Sequence, residues 1–330
     1  MNNIKESVNK FGYIDEKIDS SINLPKEISK LKKEKNAVIL AHFYQRPEIQ
    51  EIADFVGDSL KLSQLAAETD ADIIVFAGVH FMAETAKTLS PEKKVLLPDL
   101  NAGCSLADSI QVEDFKKFKE KYPDYTVVSY VNTTSEIKAM SDIVCTSSNA
   151  LKIIESLGKD EKIIFTPDKN LGGYIKNLTK REDMIVWDGA CHVHDGFSLE
   201  AFKTLKKQHS DAHLVAHPEA PKEVVLQAEY VGSTAGLLKY VTESNDNEFI
   251  VATEEGIIYQ MEKANPNKKF YNFSDKCVCG FCEYMKEITL EKLYLSLKYE
   301  APEILLSDEL IKAAYKPIKR MLDISAKYNL

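Results

Sequence analysis

Short runs of branched aliphatic residues alternate with segments of helical period along almost the whole chain, and the order of elements occurs three times. The first run of each copy ends in a polar signature: His42-Phe43-Tyr44 in ILAHFYQ, Tyr130-Val131-Asn132 in VVSYVNT, and His217-Pro218-Glu219 in LVAHPEA. These recur 88 and then 87 residues apart. A second run ends on a hydroxyl residue, Ser59 in ADFVGDS, Ser147 in SDIVCTS and Thr234 in AEYVGST, again 88 and 87 residues apart. Third runs follow as DIIVFAG, KIIFTPD and EFIVATE, and fourth runs as KVLLPDL, DMIVWDG and KFYNFSD. After each fourth run comes a cysteine, Cys104, Cys191 or Cys282, at spacings of 87 and 91.

Helical patterns fill the intervals: PEIQEIA and SLKLSQLAAE, then SEIKAMS and NALKIIESLG, then KEVVLQAE and AGLLKYV. Strand and helix in alternation, with short connections, predict parallel strands joined by crossover helices. The uninterrupted apolar character of the runs suits sheets buried on both faces. The fold class is therefore α/β, as three homologous three-layer α/β/α modules with parallel sheets in a pseudo-threefold arrangement around a central cavity. The expected boundaries are 1–106 for a first module with an N-terminal helix, 107–192 for the second and 193–286 for the third. Residues 287–330 read as amphipathic helices that pack on the modules.

Composition narrows the function. The 330 residues are 44% hydrophobic, enough for real cores. Their 42 basic and 51 acidic side chains leave a net charge of -9 with no basic stripe, which argues against nucleic acid as a partner. No apolar run approaches the roughly 20 residues that cross a bilayer, and the polar start of the chain has no secretory pattern, so a cytoplasmic protein without membrane attachment is expected. In that compartment clustered cysteines serve metals or catalysis more often than disulfides.

In open parallel sheets ligands bind beyond the carboxyl ends of the strands, where every signature above falls. Three cysteines, one per module, can hold zinc or an iron-sulfur cluster. Zinc commonly draws two ligands from one close pair, and only Cys279-Gly-Phe-Cys282 has that form. Ligands about 87 residues apart suit a larger cluster at a junction, and a four-iron cubane would keep one iron without a cysteine, open to act as a Lewis acid. Glu219 is the candidate general base, Tyr44 the proton donor, and His42 and His217 the partners of a polarised carbonyl or carboxylate. Ser59, Ser147 and Thr234 lie at helix starts, as anion-binding hydroxyls or as ordinary N-caps. His192 and His194 read as supports of the Cys191 pocket rather than ligands. Cys145 reads as packed; Cys277 and Cys279 read as spare thiols or as a redox-sensitive pair with Cys282.

The segments AHFYQRPEIQEIADFVGDSL, AGCSLAD, YVNTTSE, CTSSNA, CHVH, HPE, YVGST and CEYM together resemble the quinolinate synthase family of NAD biosynthesis, over nearly the whole chain. The resemblance implies an oxygen-sensitive 4Fe-4S cluster on Cys104, Cys191 and Cys282. It implies condensation of iminoaspartate (iminosuccinate) with dihydroxyacetone phosphate to quinolinate, phosphate and water. Substrate-contacting positions carry over to His42, Ser59, Tyr130, Asn132, Ser147, His217, Glu219, Ser233 and Thr234, and Tyr44 and Glu219 match the acid/base positions, with His42 beside them. An aspartate oxidase or dehydrogenase would supply iminoaspartate. The rival expectations are a non-catalytic iron-sulfur or zinc redox sensor on the same fold, and a metal-free lyase or aldolase.

Overall fold

The computed structural model describes residues 2–273 and 279–330, so Cys277 lies outside the described residues. Each expected run is a strand. The first copy supplies β1 (Ala37–His42), β2 (Phe55–Gly57), β3 (Ile73–Ala77) and β4 (Lys94–Leu96). The second supplies β5 (Thr126–Tyr130), β6 (Ile143–Cys145), β7 (Ile163–Thr166) and β8 (Met184–Val186). The third supplies β9 (His213–Ala216), β10 (Tyr230–Val231), β11 (Glu248–Ala252) and β12 (Lys269–Tyr271). Three four-stranded sheets result, ordered β2-β1-β3-β4, β6-β5-β7-β8 and β10-β9-β11-β12, with every pairing parallel. This is the three-layer α/β architecture that the alternation predicts.

The shared order has a functional consequence. The chain leaves the first strand of each sheet to one side and returns on the other, so strand order reverses between the first and third strands. That reversal opens the crevice in which open α/β sheets bind ligands. In every copy the two strands flanking it are nearly or wholly buried: β1 and β3, β5 and β7, β9 and β11.

By compactness the chain divides into two units, Met1–Cys104 with Glu283–Tyr315, and Ser105–Cys282 with Lys316–Leu330. In the first unit the helix Leu290–Tyr299, capped by Thr289, packs on Leu24–Glu34. Lys292 pairs there with the buried Asp99, and Lys35 and Lys94 share Glu300 at 2.7 and 2.5 Å. The second unit carries two cores, one around Phe115, Val127, Ile137 and Ile164, the other around Phe202, Leu214, Ile250 and Phe273. Asn149 donates to Ser325 at 2.9 Å and so ties the end of the helix Asp308–Lys327 into this unit. Among the described residues no helix is long and apolar enough to cross a membrane.

Candidate functional site

The most developed group of polar side chains lies at the carboxyl edges of the second unit. Beyond β9 the His217 N–H still reaches the Ala252 carbonyl at 3.0 Å, and a turn closed by Ala220 N–H to His217 O at 3.0 Å sets Glu219 at the edge. Glu219 is 3% exposed, so its charge needs partners. Tyr130 supplies one, its hydroxyl donating to Oε1 at 2.6 Å, and His194 brings Nδ1 to 3.3 Å from Oε2. Burial alone would drive the carboxyl towards its protonated form. The charge and hydrogen bond of His194, with help from His217 and Tyr130, override that and hold it down at about 2. At neutral pH Glu219 is a carboxylate.

His217 is the opposite case. Burial depresses its pKa to about 3, and the Glu219 carboxylate only partly offsets this, so the ring is neutral. Its Nδ1 accepts the Glu219 amide at 3.3 Å, which leaves Nε2 to carry the proton. The first unit repeats the device: His42 is buried, and its Nδ1 accepts the Tyr44 amide at 3.1 Å, with the two rings 4.4 Å apart. Each strand-end histidine thus holds the residue two places on and keeps an N–H donor of its own.

The loop that bears Tyr44 is held firmly within the first unit. Lys286 donates to the Tyr44 carbonyl, Arg46 donates twice to the Lys286 carbonyl at 3.0 and 2.8 Å, and Gln50 donates to the carbonyls of Phe43 and Gln45. In the second unit Asn132 has a buried Oδ1 with no hydrogen-bond partner among the described residues, an acceptor left for a ligand.

The hydroxyl positions are not the N-caps they resemble. Asp58 caps the helix Ser59–Glu68, accepting Lys61 N–H, and Ser233 caps Thr234–Glu243, accepting Gly236 N–H at 3.2 Å. Ser59 and Thr234 are instead the first residues of their helices, where anions are favoured. Ser147 sits in the turn before Asn149, the N-cap position of Ala150–Ser156.

The cysteines separate by environment. Cys104, Cys191 and Cys282 are half-buried and form no disulfide. Cys145 is fully enclosed at the end of β6, and burial pushes its thiol pKa far up, so it packs, as expected. Cys279 is buried and disulfide-bonded. His194 Nδ1 lies 3.4 Å from Cys191 Sγ, and its Nε2 meets Thr253 Oγ1 at 3.0 Å; the exposed His192 turns to Ser105 Oγ at 2.6 Å. Cys191, His194 and Glu219 bring their ligand atoms within 4.8 Å of one another, a set able to hold a metal ion.

Four residues here escape sequence reasoning: Asp168, Asn170, Thr253 and Glu254. Asp168 is buried, caps Lys169–Thr179 with one oxygen and leaves Oδ2 unpartnered among the described residues; burial and then the Glu219 charge raise its pKa well above the carboxylate range. Asn170 donates to the Glu219 carbonyl and to Asp195, both at 2.9 Å. All four follow third strands, so their signal is strand order, which becomes available only with the sheets.

Comparison with known proteins gives the family. The family model described as quinolinate synthetase A protein matches residues 26–323. A protein of Trichodesmium erythraeum named quinolinate synthase is 57% identical over 300 residues, covering 90% of this chain and 93% of its own. A quinolinate synthase of Chloroherpeton thalassium is 53% identical over 309 residues, covering 93% of this chain and 96% of its own. A solved reductase of E-1-hydroxy-2-methyl-but-2-enyl-4-diphosphate from Plasmodium falciparum covers 84% of this chain and 93% of its own at 15% identity and a TM-score of 0.32, too slight a likeness to bear on the fold. The family match over most of the chain and relatives more than half identical place the same conclusion beside the geometry: the chain belongs to the quinolinate synthetase A protein family.

Proposed function

We propose that this chain condenses iminoaspartate with dihydroxyacetone phosphate to give quinolinate, phosphate and two waters, in the cytoplasm, and that Cys104, Cys191 and Cys282 hold a 4Fe-4S cluster for the reaction. The observation that carries the reading is the convergence at Glu219: an ionised, buried carboxylate gripped by Tyr130 and His194, with His194 3.4 Å from Cys191 Sγ. The cysteines fit the group. A cluster needs cysteines that are reachable and outside disulfides, and these three are, whereas Cys145 is enclosed and Cys279 is disulfide-bonded.

When bound, the cluster would supply a Lewis-acidic iron that polarises the substrate. The protein's part lies in the side chains. Nε2–H of the neutral His217 and of His42 would donate to substrate carboxylate or carbonyl oxygens. Asn132 Oδ1 would accept an N–H. The helix starts at Ser59 and Thr234 and the turn at Ser147 would receive carboxylate and phosphate, with Ser233 keeping its own O–H as a donor after accepting Gly236. Glu219, ionised at neutral pH, would take up protons during isomerisation and ring closure, and Tyr44 would return one to a leaving oxygen. An aspartate oxidase or dehydrogenase would supply the imine.

Glu219→Gln tests this reading directly. The variant should retain the visible absorbance of the cluster and form no quinolinate; loss of the cluster would move Glu219 from catalysis to metal binding. The second reading, a zinc or iron-sulfur sensor without catalysis, is favoured by the compact set Cys191, His194 and Glu219. It predicts no quinolinate from the unaltered protein and, if the metal is zinc, one ion per chain.

A further inference from the structure

We propose that the dipeptide Thr253-Glu254, at the carboxyl end of β11, is the scaffold that sets Cys191 and Cys282 for cluster binding, and that its two residues are positioning residues for the metal centre. The inference rests on the cluster assignment above. It names groups beyond those assigned there to substrate or metal.

Two independent lines of contact run from this turn. Thr253, 1% exposed, places Oγ1 3.0 Å from His194 Nε2, and the other nitrogen of the same ring lies 3.4 Å from Cys191 Sγ. A hydroxyl that holds one nitrogen of an imidazole fixes the plane of the ring, and so the direction from which the other nitrogen meets the sulfur. Glu254, 0% exposed, accepts the backbone N–H of Cys282 on Oε1 at 3.1 Å and that of Gly256 on Oε2 at 2.7 Å. Both carboxylate oxygens are therefore used to join the third ligand segment to the start of the helix Gly256–Ala264.

The backbone completes the clamp. Glu255 N–H donates to the Gly280 carbonyl at 2.7 Å, and Gly280 N–H donates to Val193 O at 3.3 Å. The two ligand segments, Cys191–His194 and Cys279–Cys282, are thus bound to one another and to the same strand end. Gly280 has φ +76°, a left-handed conformation that glycine adopts without strain. With both oxygens occupied by backbone N–H groups, Glu254 fixes the Cys282 main chain.

The test uses the full chain, reconstituted anaerobically with iron and sulfide, and follows iron per chain, the electron paramagnetic resonance of the reduced cluster, and the rate at which a ferrous chelator strips iron. Thr253→Val removes the hydroxyl and keeps the shape; Thr253→Ser restores it. Glu254→Gln keeps the volume but turns an amide N–H₂ towards a backbone N–H. Thr253→Val and Glu254→Gln should lose iron about 10- to 100-fold faster than the parent with a changed resonance, and Thr253→Ser should behave as the parent. Parent-like iron loss in Thr253→Val overturns the proposal, as does a Thr253→Ser as impaired as the valine variant. Should Glu254→Gln fail to fold, the threonine pair decides alone, with the melting temperature of the metal-free valine variant expected within a few degrees of the parent. A parent that takes up no iron overturns the cluster assignment and this inference with it; a normally loaded parent with parent-like variants overturns this inference only.

Discussion

The ends of β1 and β9 use one device for two purposes. In both, a buried histidine accepts the amide two residues on through Nδ1, at 3.1 Å for Tyr44 and 3.3 Å for Glu219. What differs is the residue held and its surroundings. Glu219 meets an imidazole and a phenol, which hold its proton off, whereas Tyr44 lies in a loop clamped through its main chain by Lys286 and Arg46. A duplicated backbone motif can therefore present a carboxylate in one copy and a phenol in another, since the histidine fixes the position of whichever residue follows two places on.

The largest effect should come from removing the base. Glu219→Gln is expected to lower kcat by about a thousandfold with the cluster spectrum intact. Tyr44→Phe should cost about a hundredfold in kcat and leave substrate KM near the parent value, because the ring stays while its proton goes. If the two losses were reversed in order, the assignment of base and acid would be reversed with them.

Tyr130→Phe sharpens the electrostatic half of the comparison. It deletes one of the donors that hold Glu219 below the ordinary 4.5, and the carboxyl should rise from about 2 towards that value. The stabilisation from ionised Glu219 is fully present above its unfolded pKa and is lost as pH falls through the folded one. The variant should have less of it to lose on acidification, and its kcat/KM should show an acid limb at higher pH, with about a tenfold drop at neutrality.

Lys286→Met addresses the other half. With the Tyr44 carbonyl unpaired in a buried loop, stability should fall by roughly 1–3 kcal/mol in thermal denaturation, and kcat should fall more than the cluster content. The smallest effect belongs to Cys145→Ala, which should cost about 1 kcal/mol of stability and leave iron per chain unchanged.

The repeat made most of this readable in advance. All twelve strands and the polar residue ending each first strand followed from apolar runs and spacing, because parallel strands buried on both faces need continuous β-branched segments. Ser59 and Thr234 at helix starts are legible in the sequence, but the capping is not: Asp58 and Ser233 take it, because each stands in extended backbone one residue before its helix. Asp168, Thr253 and Glu254 stayed invisible for a different reason. Nothing in TPDKN or ATEEG marks them until β7 and β11 are known to lie beside β5 and β9, across the point where strand order reverses.

By itself, then, the sequence determined the elements, the threefold duplication and the candidate chemistry, since these depend on hydrophobic period and residue type along the chain. Tertiary structure alone decided which state each group occupies. Glu219 is ionised, His217 neutral and Asp168 pushed towards its protonated form because burial and the partners brought by distant strands set their charge, and neither burial nor partner is written in local sequence.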